Sequence, residues 1–519
     1  MCSLCRVSKL FNLYATPYLY SSVDIVASGS PWGVHQGYDS LVVGENRGLK
    51  FIRTLRFLPP QNRRQRRGLG GVSHEQSVKT YEFMTSLLFK IGCNVLSRFE
   101  WHLPSRPPPI ALLLLRQETL TKVSWSIPAR LCYDQNLPSH LSRAGGLTSA
   151  LSSITILSVT TPNIHHIAAW LTWFPALKTL RMEWSPRMYS IFYSTHPTEC
   201  FWAAIGLGGL QHLTTLKLKW ADVSFLYLLP VVDRLTSLTL DRCRGVQYLL
   251  TGWRFKSSPS PIRLRKLWLL SARGCSQTSI HHFLRAFGGL EELALYSSHQ
   301  ARGFMYVPTG ICQHQDTLKC LLLDTPGVRY GSRFARSHVC MHKGEAVFLA
   351  SCLSHYPCLR SLALPVDLTL MPDATVAALV GRVHCFQLHL RAVLPQHPLA
   401  QAIANAVARG FSPAATIAGD MVGELGARGA TYHPYLRSYL RSKAERDRLK
   451  LCSEESRNPE LRGPPSLRYI SLFDGSTDEW VVVFEVLSWT AYPPVIRRMS
   501  KSERIALEKE HKILKENVV

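Results

Sequence analysis

The chain lacks any apolar run long enough to cross a bilayer. Its longest apolar runs are IALLLL, from Ile110 to Leu115, and VVVFEVL, from Val481 to Leu487, whereas a spanning helix needs about 18 or more consecutive apolar residues. The N-terminus also lacks the apolar core of a secretory signal peptide. We therefore expect no membrane contact and an intracellular location, in the cytoplasm, the nucleus or both.

Motifs for catalysis and for cofactor binding are also missing. The sequence contains no G-x-S-x-G nucleophile elbow, no P-loop and no H-E-x-x-H zinc motif. The glycines of GDMVGELGARG, from Gly419 to Gly429, do not follow a predicted strand, which a dinucleotide site requires. These absences predict a protein that is not an enzyme and that binds no cofactor.

The cysteines show no disulfide or metal-binding pattern. Fourteen are scattered along the chain, and we expect them to be free thiols in a reducing compartment. Two clusters carry residue types that bind zinc: Cys352, His355 and Cys358, and His338, Cys340 and His342. Zinc prefers four nitrogen or sulfur ligands, whereas CLSHYPCLRSLAL resembles a helix-turn-strand junction with Cys352 and Cys358 in the core. We therefore expect no metal site.

Acidic residues are scarce relative to basic ones. The chain has 60 Lys and Arg against 35 Asp and Glu, which gives a formal charge of +25. Such a balance can favour nucleic acid, an anionic membrane surface or an acidic protein partner. The one dense run is RRQRR, Arg63 to Arg67, which fits a solvated loop, a nuclear localisation patch or a nucleic-acid contact. Because no groove-reading motif accompanies it, nucleic acid is the least favoured partner.

A short phrase, L-x-x-L-x-L, recurs along most of the chain. The six clear copies are LTTLKL at Leu213, LTSLTL at Leu235, LRKLWL at Leu264, LEELAL at Leu290, LKCLLL at Leu318 and LRSLAL at Leu359. Seven looser copies are LKFIRTLRF at Leu49, LSRFEW at Leu96, LTKVSW at Leu120, LSSITI at Leu151, LKTLRM at Leu177, VHCFQL at Val383 and LRYISL at Leu467. Copies between Leu213 and Leu318 start 22 to 29 residues apart, which is typical of leucine-rich repeats.

Each repeat is predicted to contain a helix, a short turn and a strand. Because strand side chains alternate, Leu216 and Leu218 should point to one face and Thr215, Lys217 and Lys219 to the other. Apolar residues at helical spacing precede two of the strands: Ile164, Ile167, Ala168 and Leu171, and Ile280, Phe283, Leu284 and Phe287. The intervening turns carry Pro175, Gly289 or Pro357, and Cys243 follows a strand where leucine-rich repeats often bury a Cys or Asn.

The fold class predicted from this pattern is α/β, as a leucine-rich-repeat-like solenoid. One unit cannot bury its apolar face alone, so adjacent units must stack. A doubly wound α/β sheet is the alternative. The strand residues that point away from the leucines form the candidate substrate-binding surface, because mixed charge and aromatic residues suit a protein interface. These candidates are Arg181, Lys217, Lys219, Asp241, Trp268, Tyr296 and Asp324.

The N-terminal segment CSLCRVSKLFNLYATPYLYSSVDI, residues 2–25, has the pattern of an amphipathic helix followed by an extended segment. Leu4, Val7, Leu10 and Phe11 share one helical face, and Thr16-Pro17 is predicted to end the helix. The segment resembles the second half of an F-box of the fungal kind. The first F-box helix, with its Leu-Pro opening, is expected upstream of Cys2, so that either the start lies further upstream or the F-box is shortened.

This resemblance implies a function. F-box proteins bind a Skp-type adaptor within a Skp–cullin–F-box ubiquitin ligase, and leucine-rich repeats behind the F-box recruit the protein substrate. The adaptor-binding residues implied by the resemblance are Leu4, Val7, Ser8, Phe11, Pro17 and Tyr20. A helical cap for the first repeat is the alternative role of this segment. A scaffold that has lost adaptor binding and a basic protein associated with nucleic acid are the alternative functions.

Four domains are expected along the chain. Residues 1–26 form the partial F-box or cap, and residues 41–395 form the repeat domain. Residues 396–464 break the repeat and are predicted to be a charged, helical insertion or linker. Residues 465–519 contain the last repeat strand and a C-terminal helix.

Overall fold

The architecture comes from a computed structural model. The structure describes residues 9–26, 41, 46–58, 74–103, 117–126, 150–160, 164, 167–168, 171–172, 174–185, 201–203, 210–256, 262–270, 275–296, 310–324, 353, 356–366, 387–392, 469–474, 479–488 and 495–498. The RRQRR run, the 419–429 glycines, the 396–464 segment and the C-terminal helix expected after the last strand lie outside these residues.

The chain divides into two compact units, Met1–Ser260 and Pro261–Val519. The described strands of the first unit are β1 Ser22–Val26, β2 Thr54–Leu58, β3 Arg98–Trp101, β4 Lys122–Ser126, β5 Ser153–Val159, β6 Thr179–Trp184, β7 Thr215–Lys219 and β8 Ser237–Asp241. Those of the second are β9 Lys266–Leu270, β10 Glu292–Tyr296, β11 Cys320–Asp324, β12 Ser361–Val366, β13 Gln387–Ala392, β14 Tyr469–Asp474, β15 Glu479–Ser488 and β16 Val495–Arg498. The predicted domain limits are not tested by this division and stay predictions.

Within each unit, strands pair with their neighbours in chain order. Strands β1 to β8 of the first unit are all parallel. In the second unit β9 to β14 are parallel, and β15 and β16 then add in antiparallel fashion. Parallel neighbours require a crossover connection, and helices supply part of it. The α/β class is therefore confirmed.

Each of the thirteen phrases contributes one strand, from β2 to β14. The VHCFQL copy needs a correction of two residues, because Gln387 pairs with Ser361 and thus occupies the third position of the repeat. The repeat there begins at Cys385 rather than Val383. The error left the predicted faces intact because a shift of two residues preserves strand alternation. The extended segment predicted after the N-terminal helix is also confirmed, as β1.

The repeated leucines form the core. With the phrase numbered from 1 to 6, the residues at positions 4 and 6 lie on one side of the strand and are buried, as Leu216 and Leu218 show at 1% exposure each. Thr215, Lys217 and Lys219 lie on the other side and are half-buried. The register pairs Leu216 with Leu180 and Leu238, so that leucines of successive repeats stack in rows. The predicted alternation is confirmed.

Helices lie between several strands of the described chain. They are α1 Lys9–Tyr20, α2 His74–Lys90, α3 Val246–Lys256 and α4 Gln277–Leu284, with short 3-10 helices at Leu49–Phe51, Leu226–Leu228, Pro230–Arg234 and Cys312–His314. The Ser276 hydroxyl begins α4 by accepting a hydrogen bond from the Ser279 N–H at 3.1 Å. Two sets of apolar residues predicted at helical spacing are largely buried: Ile164, Ile167, Ala168 and Leu171, and Phe283, Leu284 and Phe287, whereas Ile280 of the second set is half-buried. No described helix is long and apolar enough to span a membrane.

The prediction that Thr16-Pro17 ends the first helix is wrong. Helix α1 continues through Pro17 to Tyr20. Its C-terminal end is supported by Ser21, whose hydroxyl donates to the Tyr18 carbonyl at 2.8 Å. Helix α1 also packs against β1 and the 3-10 helix at Leu49–Phe51. Tertiary packing and this cap therefore outweigh the helix-breaking tendency of proline.

Position 2 of the repeat ties neighbouring strands together within each unit. The carbonyl at position 2 accepts hydrogen bonds from two successive N–H groups of the next strand, as Thr214 does from Thr236 and Ser237 at 2.9 and 3.0 Å, and as Glu291 does from Lys319 and Cys320 at 2.8 and 3.1 Å. In the first unit, serine or threonine hydroxyls at position 2 also donate to the carbonyl at position 2 of the preceding repeat, as Thr121 does to Ser97 at 3.1 Å. The second unit uses charge instead, because Glu291 pairs with Arg265 at 3.4 Å and Lys319 at 2.7 Å.

Buried polar side chains hold the turns before two strands. Gln117 accepts hydrogen bonds from the Val95 and Leu96 N–H groups, both at 2.9 Å. His314 accepts from the Leu290 N–H at 3.3 Å through Nδ1. Burial lowers the pKa of His314 to about 4, so that its imidazole is neutral near pH 7 and can accept. Cys243 is buried as predicted and donates to the Leu218 carbonyl at 3.5 Å.

Gly245 and Gly289 provide a matched pair for testing backbone constraint. Both have positive φ, +72° and +88°, but a Cβ at Gly245 would lie 2.0 Å from Ser224 Oγ, while nothing lies within 4 Å of one at Gly289. We expect Gly289→Ala to lower the free energy of unfolding by about 1–2 kcal/mol, from backbone strain alone. Gly245→Ala should cost about 2–5 kcal/mol, because overpacking adds to the strain. Urea unfolding measures both, and equal losses would contradict the close packing at Gly245.

Candidate binding surface

The strand side chains at positions 3, 5 and 7, opposite the leucines, are here called the outer face. In the first unit, the position-5 residues stand side by side in one row of the register: Asp24, Arg56, Glu100, Ser124, Thr155, Arg181, Lys217 and Thr239. Every member is polar or charged. The first unit therefore presents a polar outer face on top of an apolar core.

Lys219 organises the end of this face. Its ammonium lies 3.4 Å from a Glu183 carboxylate oxygen and 3.8 Å from one of Asp241, the two residues that flank it in the position-7 register. Burial raises the pKa of Asp241, and the positive charges of Lys219 and Arg242 act against this rise. The structure thus brings the predicted residues Lys217, Lys219 and Asp241 together with Arg181.

The residues that follow β7 and β8 have an uncommon backbone conformation. Trp220 and Arg242 have φ values of 60° and 53°, which cost about 1–2 kcal/mol per residue for side chains other than glycine. The Arg242 guanidinium lies 4.9 Å from the centre of the Trp220 ring, a distance at which the cation is attracted to the ring. Arg242 Nε also lies 3.8 Å from an Asp241 oxygen. These contacts help to hold the strained backbone at the ends of β7 and β8 next to Lys219.

A second charged cluster lies on β3 and β4. Glu100 contacts the Arg98 guanidinium and lies 3.4 Å from His102 Nε2, and it is only 7% exposed. The hydrogen bond to His102 lowers the pKa of Glu100 to about 2; burial opposes this fall, and the charge of Arg98 reinforces it. The carboxylate is therefore ionised at neutral pH despite its burial.

This cluster places Ser124, His102 and Glu100 side by side without the geometry of a catalytic triad. Ser124 Oγ and Glu100 Oε2 both approach the same ring nitrogen, His102 Nε2, at 3.4 Å each. A triad uses both ring nitrogens, one to receive the serine proton and the other to donate to the carboxylate. One nitrogen cannot do both, so these contacts do not activate the serine.

The outer face of the second unit has a different character, and the prediction made for one candidate residue there is wrong. Trp268 was expected to be accessible but is only 5% exposed, in a buried cluster with Ala294 and Leu322. The Lys266 ammonium lies 3.6 Å from the centre of the Trp268 ring and 2.8 Å from a Glu292 oxygen. The position-5 row is apolar from β9 to β12, so alternation of polar and apolar residues cannot identify the outer side of these strands.

The remaining candidates are placed only in part. Tyr296 and Asp324 are register partners at the ends of β10 and β11, and their side chains lie outside the described residues. Leu4, Val7 and Ser8 also lie outside them, as does the Phe11 side chain, although Phe11 itself is within α1. Pro17 and Tyr20 are half-buried on α1, and the Tyr20 ring would lie 2.5 Å from a Cβ at Gly48.

Sequence reasoning missed several residues of these surfaces. Leu13, Tyr14 and Tyr18 of α1 are 69%, 68% and 81% exposed, and the helical register beyond Phe11 could have identified them. Arg98 and Lys122 were not among the predicted candidates, because they lie at position 3 of looser copies of the repeat. Within the described parts of the chain, no three His, Cys, Asp or Glu side chains lie close enough to hold a metal ion. Of the two cysteine and histidine clusters, only Cys358 is described.

No protein-family model matches this chain, and no curated protein matches it either.

Glu100→Gln should remove part of the acid sensitivity of folding. The pKa of Glu100 is about 2 when folded, against 4.5 ordinarily, so its stabilisation is complete above pH 4.5 and is lost as pH falls towards 2. That difference corresponds to about 3 kcal/mol. We expect the variant to be less stable at pH 7 and to lose less stability between pH 4.5 and 2.

The measurement is urea unfolding at several pH values. Glu82→Gln is the control, because Glu82 is an exposed glutamate on α2, and its curve should follow that of the parent. An unchanged acid slope in Glu100→Gln would show that the Arg98 and His102 contacts do not hold the carboxylate ionised.

Proposed function

We propose that this protein is a substrate-recruiting F-box/leucine-rich-repeat subunit of a Skp–cullin–F-box ubiquitin ligase. The observation that carries the proposal is the one-to-one match between thirteen L-x-x-L-x-L phrases and thirteen strands in chain order. A leucine-rich-repeat solenoid requires one strand per repeat, parallel pairing between neighbouring strands and stacked rows of buried leucines. A doubly wound sheet would reverse its strand order at a switch point, and the described order within each unit does not reverse.

The outer face of the first unit supports a role in protein binding. It combines cations, carboxylates and hydroxyls in fixed register, with Trp220 and Arg242 at its edge. Trp and Arg are residues that often carry binding energy in protein interfaces. A sheet face is also rigid, so that little conformational entropy is lost when a substrate binds to it.

Helix α1 supports the adaptor contact. One side of the helix packs against β1 and the turn at Leu49–Phe51, while Leu13, Tyr14 and Tyr18 are largely exposed. An apolar surface on a short amphipathic helix is suited to a second protein. We therefore assign the adaptor to this surface, next to the implied residues Phe11 and Pro17.

The proposed role does not require catalytic residues in this chain. A ligase subunit that holds a substrate close to the reactive centre raises its effective concentration, which is a task of binding and geometry. Ser124 and His102, the nearest approach to a catalytic pair described above, lack the required arrangement. The chemistry would be supplied by other subunits.

A scaffold that binds no adaptor is the second candidate. The observation that favours it is the packing of α1: the Tyr20 ring occupies the space beside Gly48, as expected of a cap that covers the first repeat. In this case α1 would serve stability alone, and the outer face would still bind a partner protein.

Adaptor binding by α1 separates the two candidates. We expect the full-length chain to retain a purified Skp-type adaptor in a pull-down, and Leu13→Glu/Tyr18→Glu to retain at least tenfold less, because two charges replace an apolar contact. The control is Tyr248→Glu/Phe255→Glu on α3, whose side chains are 68% and 71% exposed and which should bind like the parent. If neither the parent nor a version extended upstream by an in-frame F-box helix retains adaptor, the ligase role is wrong and the scaffold remains; retention by the extended version alone indicates a start further upstream.

A further inference from the structure

Four cations lie close together on the outer face of the first unit. Arg98 and Lys122 are register partners on β3 and β4, and Arg181 and Lys217 are partners on β6 and β7. Only β5 separates the two pairs, and it contributes uncharged residues, Ser153 and Thr155, to the same rows. At about 4.8 Å between strands, all four cations fall within about 20 Å across the sheet.

The carboxylates of this face are engaged elsewhere. Glu100 contacts Arg98 and His102, while Glu183 and Asp241 both flank Lys219. Among the described residues, neither Lys122 nor Arg181 has a carboxylate within ion-pair distance. Around Lys122 and Arg181 the face therefore carries positive charge that no ion pair with a described carboxylate neutralises.

Neighbouring charges confirm the imbalance at Lys122. Burial lowers the pKa of its ammonium, and the positive charges of Arg98 and Arg181 lower it further, with only Glu100 acting in the opposite direction. Like charges held together on a rigid sheet destabilise the folded state. A protein that keeps such an arrangement gives up some stability, which is common where side chains are placed for binding.

We propose that the outer face around Lys122 and Arg181 binds a negatively charged segment of a partner protein, with carboxylate or phosphate groups over these two cations. The inference rests on the protein-binding role proposed above and adds the chemical class of the partner. Arg181 is exposed, and its guanidinium can bind an oxyanion through two parallel hydrogen bonds. The hydroxyls of Ser153, Thr155 and Thr179 flank the cations in register and can donate further hydrogen bonds.

The arrangement favours a peptide over nucleic acid. The carboxylates Glu100 on β3 and Glu183 on β6 lie on the same strands as Arg98 and Arg181 and would repel a continuous phosphate backbone, which carries a charge at every nucleotide. A protein segment can place a few acidic groups at the cations and keep neutral residues elsewhere. These two carboxylates would thus limit the spacing of the bound charge.

The test uses fluorescein-labelled synthetic peptides and full-length protein in fluorescence polarisation. The probes are a Glu-rich peptide, a peptide with phosphoserine at the same positions, a Gln-substituted neutral peptide, and a single-stranded DNA of equal charge. We expect the parent to bind one or both anionic peptides, more weakly as salt rises, and to bind the neutral peptide at least tenfold more weakly. The stronger of the two anionic peptides identifies the source of the charge.

Lys122→Gln/Arg181→Gln is the decisive variant. It should weaken binding of the preferred peptide at least tenfold, and its thermal unfolding midpoint should equal or exceed that of the parent, because a repulsion has been removed. Arg263→Gln/Arg285→Gln, which removes the same charge from two exposed sites in the second unit, should change the affinity less than twofold. A peptide affinity that falls equally in both variants would reflect net charge and would overturn the proposal.

Two other results would also overturn it. One is tighter binding of DNA than of either peptide, with the loss confined to Lys122→Gln/Arg181→Gln, which would make the face a nucleic-acid contact. The other is a folded parent that binds no anionic probe. The adaptor pull-down reports separately on α1: if adaptor is retained by the parent but no peptide binds, only the anion site is refuted. If peptide binds but neither the parent nor the extended version retains adaptor, only the ligase role is refuted.

Discussion

The parallel register of the repeated strands is the constraint on which the rest of this protein depends. Side chains on a strand alternate with a period of two, so a slip of one residue would turn every leucine outward and every charge inward. The pairing of Leu180, Leu216 and Leu238 in one row prevents such a slip, because each leucine is buried only when its neighbours are in register. The same register places Arg181 beside Lys217 and Glu183 beside Lys219.

Position 2 of the repeat shows how polar groups reinforce this register. In much of the first unit a small hydroxyl there returns a hydrogen bond to the carbonyl of the preceding repeat, as Thr236 does to Thr214 at 3.2 Å. In the second unit the place is taken by ion pairs around Glu291. Each such exposed interaction is worth about 1 kcal/mol or less. Their effect comes from repetition, because position 2 makes the same kind of contact in many of the described repeats of each unit.

The outer faces of the two units have separate characters. In the first unit, Glu100 is buried yet ionised because Arg98 and His102 surround it, and Lys219 balances two carboxylates. Lys122 and Arg181, which lie between these clusters, have no carboxylate within ion-pair distance among the described residues. In the second unit, Trp268, Ala294 and Leu322 occupy the middle row and are buried. A polar face suited to an anionic partner is therefore a property of the first unit.

The sequence by itself determined the thirteen repeated strands and the direction of their leucines. Both depend on the spacing of neighbours in the chain, which is why even the misaligned VHCFQL copy retained the right faces. Tertiary structure alone decided which charges meet: Arg98, Lys122 and Arg181 stand in repeats of unequal length, and no local pattern relates them. It also decided that Pro17 lies inside a helix and that Trp268 is buried. These outcomes depend on contacts between segments distant in sequence, where packing energy exceeds local preference.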